Sequence, residues 1–453
     1  MAGCAPARSP SVIHACKGGA ALLGACLLSA CGESARLPLE ATTGSNPTIA
    51  APVKTLIPTV ALTPAVGWPP GSTPSAAPGL QVSAYARGLD HPRWLYVLPN
   101  GDVLVAEAQA PARPEDEQGL TGFISRHMMK KVGAGGPSAE RITLLRGVRA
   151  DGAAAQRSMF LGGLHSPIGM ALIGRDFYVA NADALLRFAY TEGAGRIDTP
   201  GVKVTDLPGG PRNHHWTKNV LAGRDGKRLF VAVGSNSNVA ENGMAAEFER
   251  ACIWEVDPSN GRHRVYASGL RNPVGLDVEP QSGVLWTVVN ERDELGSDVP
   301  PDYLTAVREG AFYGWPYSYF GAHVDVRVQP PRPDLVARAV VPDYALGPHT
   351  ASLGLAFARG AAAMPEQYRD GAFIGQHGSW NRRPLSGYRV LFVPFTQGKP
   401  GGAPLAVLDG FLTPDGDARG RPVGVAMDAQ GALLVADDVG GVVWRVTAAQ
   451  GGR

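Results

Sequence analysis

The sequence predicts an all-β chain folded as a six-bladed β-propeller, and three observations carry that prediction. A short phrase recurs six times: a lead-in, a turn, an apolar strand, a polar Gly turn and a second apolar strand. The copies are irregularly spaced, with the extra length in the loops after each strand pair. Helix-period segments are almost absent, with 364–369 reading as a single turn at most. Repeats of short strands that bury a face only by stacking on their neighbours read as propeller blades.

The clearest copy is ASGLRNPVGLDVEPQSGVLWTVVNERDELG, from Ala267 to Gly296, which closes in an acidic loop. The blades follow in order. Blade one joins Trp94–Val97 to Val103–Val105 across Pro99-Asn100-Gly101-Asp102, two apolar runs across an Asn-Gly turn and so a hairpin. A polar excursion, Gln109–Gly119, comes next. Blade two, from His165, pairs Met170–Ile173 with Phe177–Val179. Blade three, from His214, pairs Val220–Ala222 with Leu229–Val231 and continues in Ala251–Val256. Blade four is the phrase quoted above and runs on through an aromatic loop, Gly310–Pro316. Blade five extends from His349 to Phe395 with an insertion at His377–Gly387, and blade six from Arg421 to Val446.

The 453 residues carry 42 basic and 40 acidic side chains, a balance that gives no support to a nucleic-acid or acidic-polymer partner. Residues 1–31 read as an address. Arg8 and Lys17 flank an apolar run, Gly19–Ala30, that is too short to span a bilayer. It ends in Leu28-Ser29-Ala30-Cys31, which resembles a bacterial lipobox; a plain secretory signal is the other reading. A lipid on Cys31 would hold the protein at the cell envelope, exposed to the periplasm or the exterior, without a transmembrane helix. Residues 32–79, rich in Pro, Ala and Thr, read as a disordered flexible tether, and the propeller occupies 80–453. Inside it Cys252 lies in the apolar run ACIWEVDP, where it reads as a small buried hydrophobe.

In a propeller the loops that lead into each first strand gather around the channel at one end. The residues at that phase are His91, His165, His214, His215, Arg271, Asn272, His349 and Arg421, and the blade-five insertion adds His377 and Arg382. So many of the chain's 10 histidines at one phase of a repeat, together with arginines, point to a convergent site. Histidine near neutrality is a general base. Arginine holds a polyanionic ligand and stabilises developing oxyanions. The loop Glu291-Arg292-Asp293-Glu294 offers oxygen ligands of the kind Ca²⁺ takes, with a solvated turn as the alternative. There is no HExxH, CxxC, Walker loop or GxSxG, so zinc, nucleotide and serine-hydrolase chemistries find no support.

Several phrases together resemble the soluble aldose and sorbosone dehydrogenases that use pyrroloquinoline quinone (PQQ), the sorbosone branch more closely. They are HHWTKN from His214, GLRNP from Gly269, GAFYGWP from Gly310, GQHGSWNR from Gly375 and GRPVG from Gly420, and the likeness runs from about 80 to 446. The resemblance implies a propeller with PQQ over the channel, clamped by arginines and a calcium ion. It implies oxidation of sugars or related alcohols and aldehydes, with hydride passing to PQQ and then to an external electron acceptor. It places the general base at His215. Arg271, paired with Asn272, would polarise the quinone carbonyl, and Arg421 would hold a PQQ carboxylate. Backbone carbonyls at Glu291 and Arg292 would ligate calcium. His165, His349, His377 and Arg382 complete the cofactor-binding candidates. The chain departs from the glucose-oxidising branch in having His214 where an acidic residue precedes the base and Val423 where a second Arg follows Arg421. Two other functions compete: a metal-dependent lactonase or esterase propeller, and a non-catalytic binding module.

Overall fold

The computed structural model describes residue 1 and residues 33–55, 59–112 and 130–449. The signal, Cys31 and residues 113–119 of the polar excursion lie outside the described residues.

Among the described residues six antiparallel sheets form the blades, four of four strands and two extended by extra edge strands, and a small two-stranded sheet pairs Ser318–Tyr319 with His323–Val324. Blade one is Pro92–Val97, Val103–Glu107, Arg141–Val148 and Ala154–Leu161. Blade two is Gly169–Ile173, Asp176–Ala180, Ala184–Ala189 and Val202–Asp206. Blade three is Lys218–Ala222, Leu229–Val233, Cys252–Val256 and His263–Ser268. Blade four is Pro273–Val278, Leu285–Val289, Pro301–Ala306 and Tyr344–Pro348. Blade five is Ser352–Phe357, Gly371–Gln376, Arg389–Thr396 and Leu405–Asp409. Blade six is Pro422–Met427, Leu433–Asp437 and Val442–Ala448, and its outermost strand is Leu80–Arg87 from the other end of the chain. The sequence reading put that last strand in the first repeat. It belongs to the sixth, where it pairs with Val442–Ala448 and closes the ring.

The hairpins form where the turn chemistry says they should. In blade one Gly101 takes a φ of 85°, and the Asn100 side chain bonds both the Asp102 amide (3.2 Å) and its carboxylate (2.8 Å). Middle strands such as Val103–Glu107 and Leu229–Val233 are buried on both faces. Their side chains enter six apolar clusters, one at each junction between neighbouring blades. Phe160 and Phe177 meet edge-on between blades one and two, and Trp286 and Phe395 do so between four and five. Cys252 is fully buried, and burial pushes its thiol up to about 12, as suits a packing role.

Nearer the axis the blades touch through their main chains. A Cβ added to Gly169, Gly275 or Gly424, each on a first strand, would lie under 3.0 Å from backbone of the next blade. Only glycine permits that approach.

The tether expected over 32–79 is corrected by the structure. Its described part is laid across the propeller. Thr43–Gly44 pairs with Tyr344–Pro348 and extends blade four; Ser75–Ala76 pairs with Leu405–Asp409 and extends blade five. Between them Trp68 packs edge-on against Phe411 and Trp444 and donates its indole N–H to Asp437 (2.7 Å). A segment too poor in patterned apolar residues to build its own core is ordered by completing edges that the blades leave open.

Candidate functional site

Both the start of a blade's first strand and the end of its second lie at the same end of the hairpin. Two loops per blade therefore converge on the axis, where they enclose a cavity of about 480 Å³. Its apolar floor is Ile168, Val274, Leu353 and Val423, and its polar wall includes His214, His215, Arg271, Asn272, His349, His377 and Arg421. Seven residues singled out in the sequence thus meet in one space.

His215 sits on the loop before Lys218–Ala222. Its Nδ1–H points at the Ser235 carbonyl (2.8 Å), with the Ser235 hydroxyl 3.0 Å away, which leaves Nε2 as the lone-pair nitrogen. Burial first, and then the charge of Arg271, push the imidazole well below its usual range, so it is neutral near pH 7. The loop is stapled from behind. Lys218, fully buried, donates from Nζ to the carbonyls of His215 and Trp216 (3.2 Å each) and to Asn213 Oδ1 (3.3 Å). Gly234 stands against it, and a Cβ there would be 2.5 Å from His215 Cβ and closer still to Asn272 Oδ1.

Arg271 is 4 % exposed and tightly positioned. Nη1 donates to the Glu291 carbonyl (2.7 Å), and Nη2 to Asn238 Oδ1 (3.0 Å) and Asp293 (3.3 Å). Burial raises Asp293, but the His349 ring 3.8 Å away, the charge of Arg271 and a hydrogen bond from Asn381 (2.7 Å) outweigh it and hold the carboxyl at about 2. His349 gives its Nε2–H to the Gly296 carbonyl (2.8 Å). Across the cavity Arg421 reaches the Thr63 hydroxyl with Nη2 and lies 4.9 Å over the Tyr388 ring, while its buried Nε has no partner. Asp438 bridges Arg93 (2.8 Å) and His377 Nε2 (3.0 Å), and the Arg93 charge with the His377 hydrogen bond keeps it ionised despite burial.

Five expected residues lie elsewhere, the first of them His91, half-buried and outside the cavity lining. His165 is half-exposed and paired with Asp183 (2.9 Å), drawn outward by that carboxylate. Arg382 is buried behind the wall, donating to the carbonyls of Ser297 (2.9 Å) and Pro384 (2.7 Å). Glu291 and Arg292 turn inward. The Arg292 guanidinium, wholly buried, bonds Glu291, the Pro316 and Ser318 carbonyls and Asp325. The Glu291 carbonyl, expected to ligate calcium, accepts from Arg271 instead. A guanidinium at that oxygen does not suit a divalent cation, so the Glu291 carbonyl does not fit a calcium ligand as it stands. Missed in the sequence were Asn381, Asp438, Trp216, Trp380, Arg93 and Thr63, which line the cavity together with Asp293 of the acidic loop. The hairpin geometry could have found Asp438, at the end of a second strand. Arg93 was also legible, as the charged member of a phase that is Ile168, Val274 and Val423 in other blades.

Fold and site together define a six-bladed propeller with an axial cavity walled by histidine and arginine. A family model described as TrAA12-like matches residues 149–303 and 336–449, more than half of the chain, and the chain belongs to that family. A second model, described as Glucose / Sorbosone dehydrogenase, matches 253–379, the region of the GLRNP and GAFYGWP phrases. An uncharacterized protein of Borreliella burgdorferi is 28% identical over 242 residues, 53% of this chain and 62% of that one. A pyrroloquinoline quinone-dependent pyranose dehydrogenase of Coprinopsis cinerea is 27% identical over 224 residues, 40% of this chain and 30% of that one. The chain thus spans less than two thirds of either relative. Among solved structures, the holo PQQ domain of the Coprinopsis cinerea pyranose dehydrogenase superposes with a TM-score of 0.65 at 21% identity, covering 84% of this chain and 98% of that one. A calcium structure of a Trichoderma reesei family AA12 enzyme gives 0.66 at 19% identity, covering 87% and 100%. These likenesses support the propeller fold.

Proposed function

We propose that the chain is an extracytoplasmic oxidoreductase that oxidises sugars or related alcohols and aldehydes with PQQ, using His215 as general base. One observation carries the reading: a neutral, half-buried histidine with a fixed tautomer shares a cavity with two buried arginines, Arg271 and Arg421. The residues present fit a planar tricarboxylate. Arg421 offers an unpartnered buried Nε–H, a donor that a carboxylate can accept from. Arg421 and Arg271 are the residues that would hold the cofactor, with His349 and His377 on the same wall. PQQ, when bound, supplies a quinone that accepts two electrons as hydride.

The protein's own part is to bind, orient and move a proton. The Ser235 carbonyl fixes His215 Nδ1–H, so Nε2 faces the reaction as the acceptor of the substrate hydroxyl proton. Arg271 is pinned by three neighbours and presents fixed positive charge where negative charge develops. The apolar floor keeps water from competing at the base. The family relationship and the pyranose dehydrogenase relative support a sugar as substrate. The Leu28–Cys31 lipobox supports a lipid anchor at Cys31 and an envelope location.

Titration of the purified protein with PQQ, followed by sugar and a dye acceptor, tests the reading. Cofactor uptake and sugar-dependent dye reduction are expected. Uptake without reduction by any of a panel of aldoses, pyranoses and sorbosone would overturn the sugar oxidase function.

A further inference from the structure

The segment ahead of the propeller reaches the cavity itself. Leu62 and Thr63 line it, although they precede both regions matched by the family models. The Ala61 amide donates to the Trp380 carbonyl (2.7 Å), and Ala418 N–H donates to the Pro64 carbonyl (2.7 Å). Ala65 N–H bonds the Lys131 carbonyl (2.9 Å), and Val66 N–H the Ala418 carbonyl (2.8 Å). Four main-chain bonds and the Trp68 anchor thus hold the stretch across the rim of blades five, six and one. Its side chains face two ways. The Thr63 hydroxyl, almost wholly buried, meets Arg421 Nη2 and the Tyr388 hydroxyl (2.9 Å). Leu62 stays 37% exposed beside Trp380, which is 47% exposed, so two large apolar side chains stand at the mouth.

We propose that residues 61–66 form a wall of the binding site with two separable duties. Thr63 is a positioning residue that aims the Arg421 guanidinium at an anionic ligand, and Leu62 with Trp380 narrows the mouth so that single-ring sugars are preferred over disaccharides. The proposal rests on the dehydrogenase reading. A flexible guanidinium on one hydrogen bond and one ring face would otherwise sample several directions, and a preorganised donor binds more tightly because less freedom is lost. At the mouth, Leu62 and Trp380 both line the cavity and stay exposed, where they would meet the second ring of a disaccharide.

The test uses the full chain and reads binding as well as turnover. Thr63→Val keeps the shape and removes the hydroxyl; Thr63→Ser keeps the hydroxyl. Dissociation constants for PQQ and for benzene-1,3,5-tricarboxylate are measured by fluorescence quenching, alongside the unfolding midpoint. Thr63→Val is expected to bind both roughly tenfold more weakly, with Thr63→Ser near the parent and the midpoint little changed. Equal binding of PQQ by parent and Thr63→Val overturns the positioning role and leaves the dehydrogenase reading intact. A parent that binds the tricarboxylate but not PQQ overturns the cofactor reading, and the Thr63 comparison still decides the wall. Binding of neither overturns both. For Leu62→Ala, the ratio of kcat/KM for a disaccharide to that for its monosaccharide is expected to rise several-fold; an unchanged ratio removes the specificity role.

Discussion

The base role proposed for His215 rests on what surrounds it. Burial and the nearby Arg271 favour the uncharged ring, and the Ser235 carbonyl takes the one N–H it has. Replacing it with Gln should lower turnover about 10²–10⁴-fold while PQQ remains bound, whereas His214→Gln should cost far less. Steady-state rates with a parallel PQQ titration check both; parental turnover in His215→Gln would move the base to another residue. The pKa direction fixes the sign of the pH dependence. The folded value lies below the ordinary 6.5, so the base stays unprotonated as pH falls through that range. The pH profile of kcat/KM should therefore show no loss near 6.5 and decline only at more acid pH. The histidine phase was readable from one line of sequence because a repeat places equivalent residues in equivalent loops. Which of them turn inward was not readable. His165 is drawn out by Asp183 and Arg382 by the Ser297 carbonyl, partners far off in sequence or unpatterned.

At the scale of elements, the strand pairs were legible because each alternates apolar runs with Gly turns, and all six hairpins lie where the pattern put them. The stretch from 33 to 79 was not. Its composition speaks for disorder, and what orders it belongs to other elements: open sheet edges, and the Phe411, Trp444 and Asp437 pocket that receives Trp68. Removing that indole should release the segment. Trp68→Ala is expected to cost about 2–4 kcal/mol by denaturant unfolding, and to open residues 61–66 to hydrogen exchange while the blades stay protected. Protection equal to the parent's would mean that the main-chain bonds alone hold the segment. Upstream, Cys31→Ser should shift the protein from the membrane to the soluble fraction of its bacterial host; identical fractionation of variant and parent would remove the lipid anchor from the proposal.

For the whole molecule, six blades close on Leu80–Arg87, so the first and last described strands of the ring share one sheet. The blades meet through side chains at their junctions and through bare backbone near the axis, at Gly169, Gly275 and Gly424. A methyl group at Gly275 has nowhere to go but into Leu355 of blade five. Gly275→Ala should lower stability by about 1–3 kcal/mol, read as a drop in unfolding temperature, with loss of activity at temperatures where the fold persists. A normal melt with normal turnover would show that the blades can shift apart without consequence. The seam also bears on how such a chain can change over time. Where the spacing at the axis is set by main chain against main chain, it does not depend on which side chains the loops carry. Loop residues can then be exchanged one blade at a time, a valine here for an arginine there, without retuning the width of the ring. A frame of that kind can keep its shape while sequences drift below 30% identity, with every hairpin still delivering its two loops to the same central space.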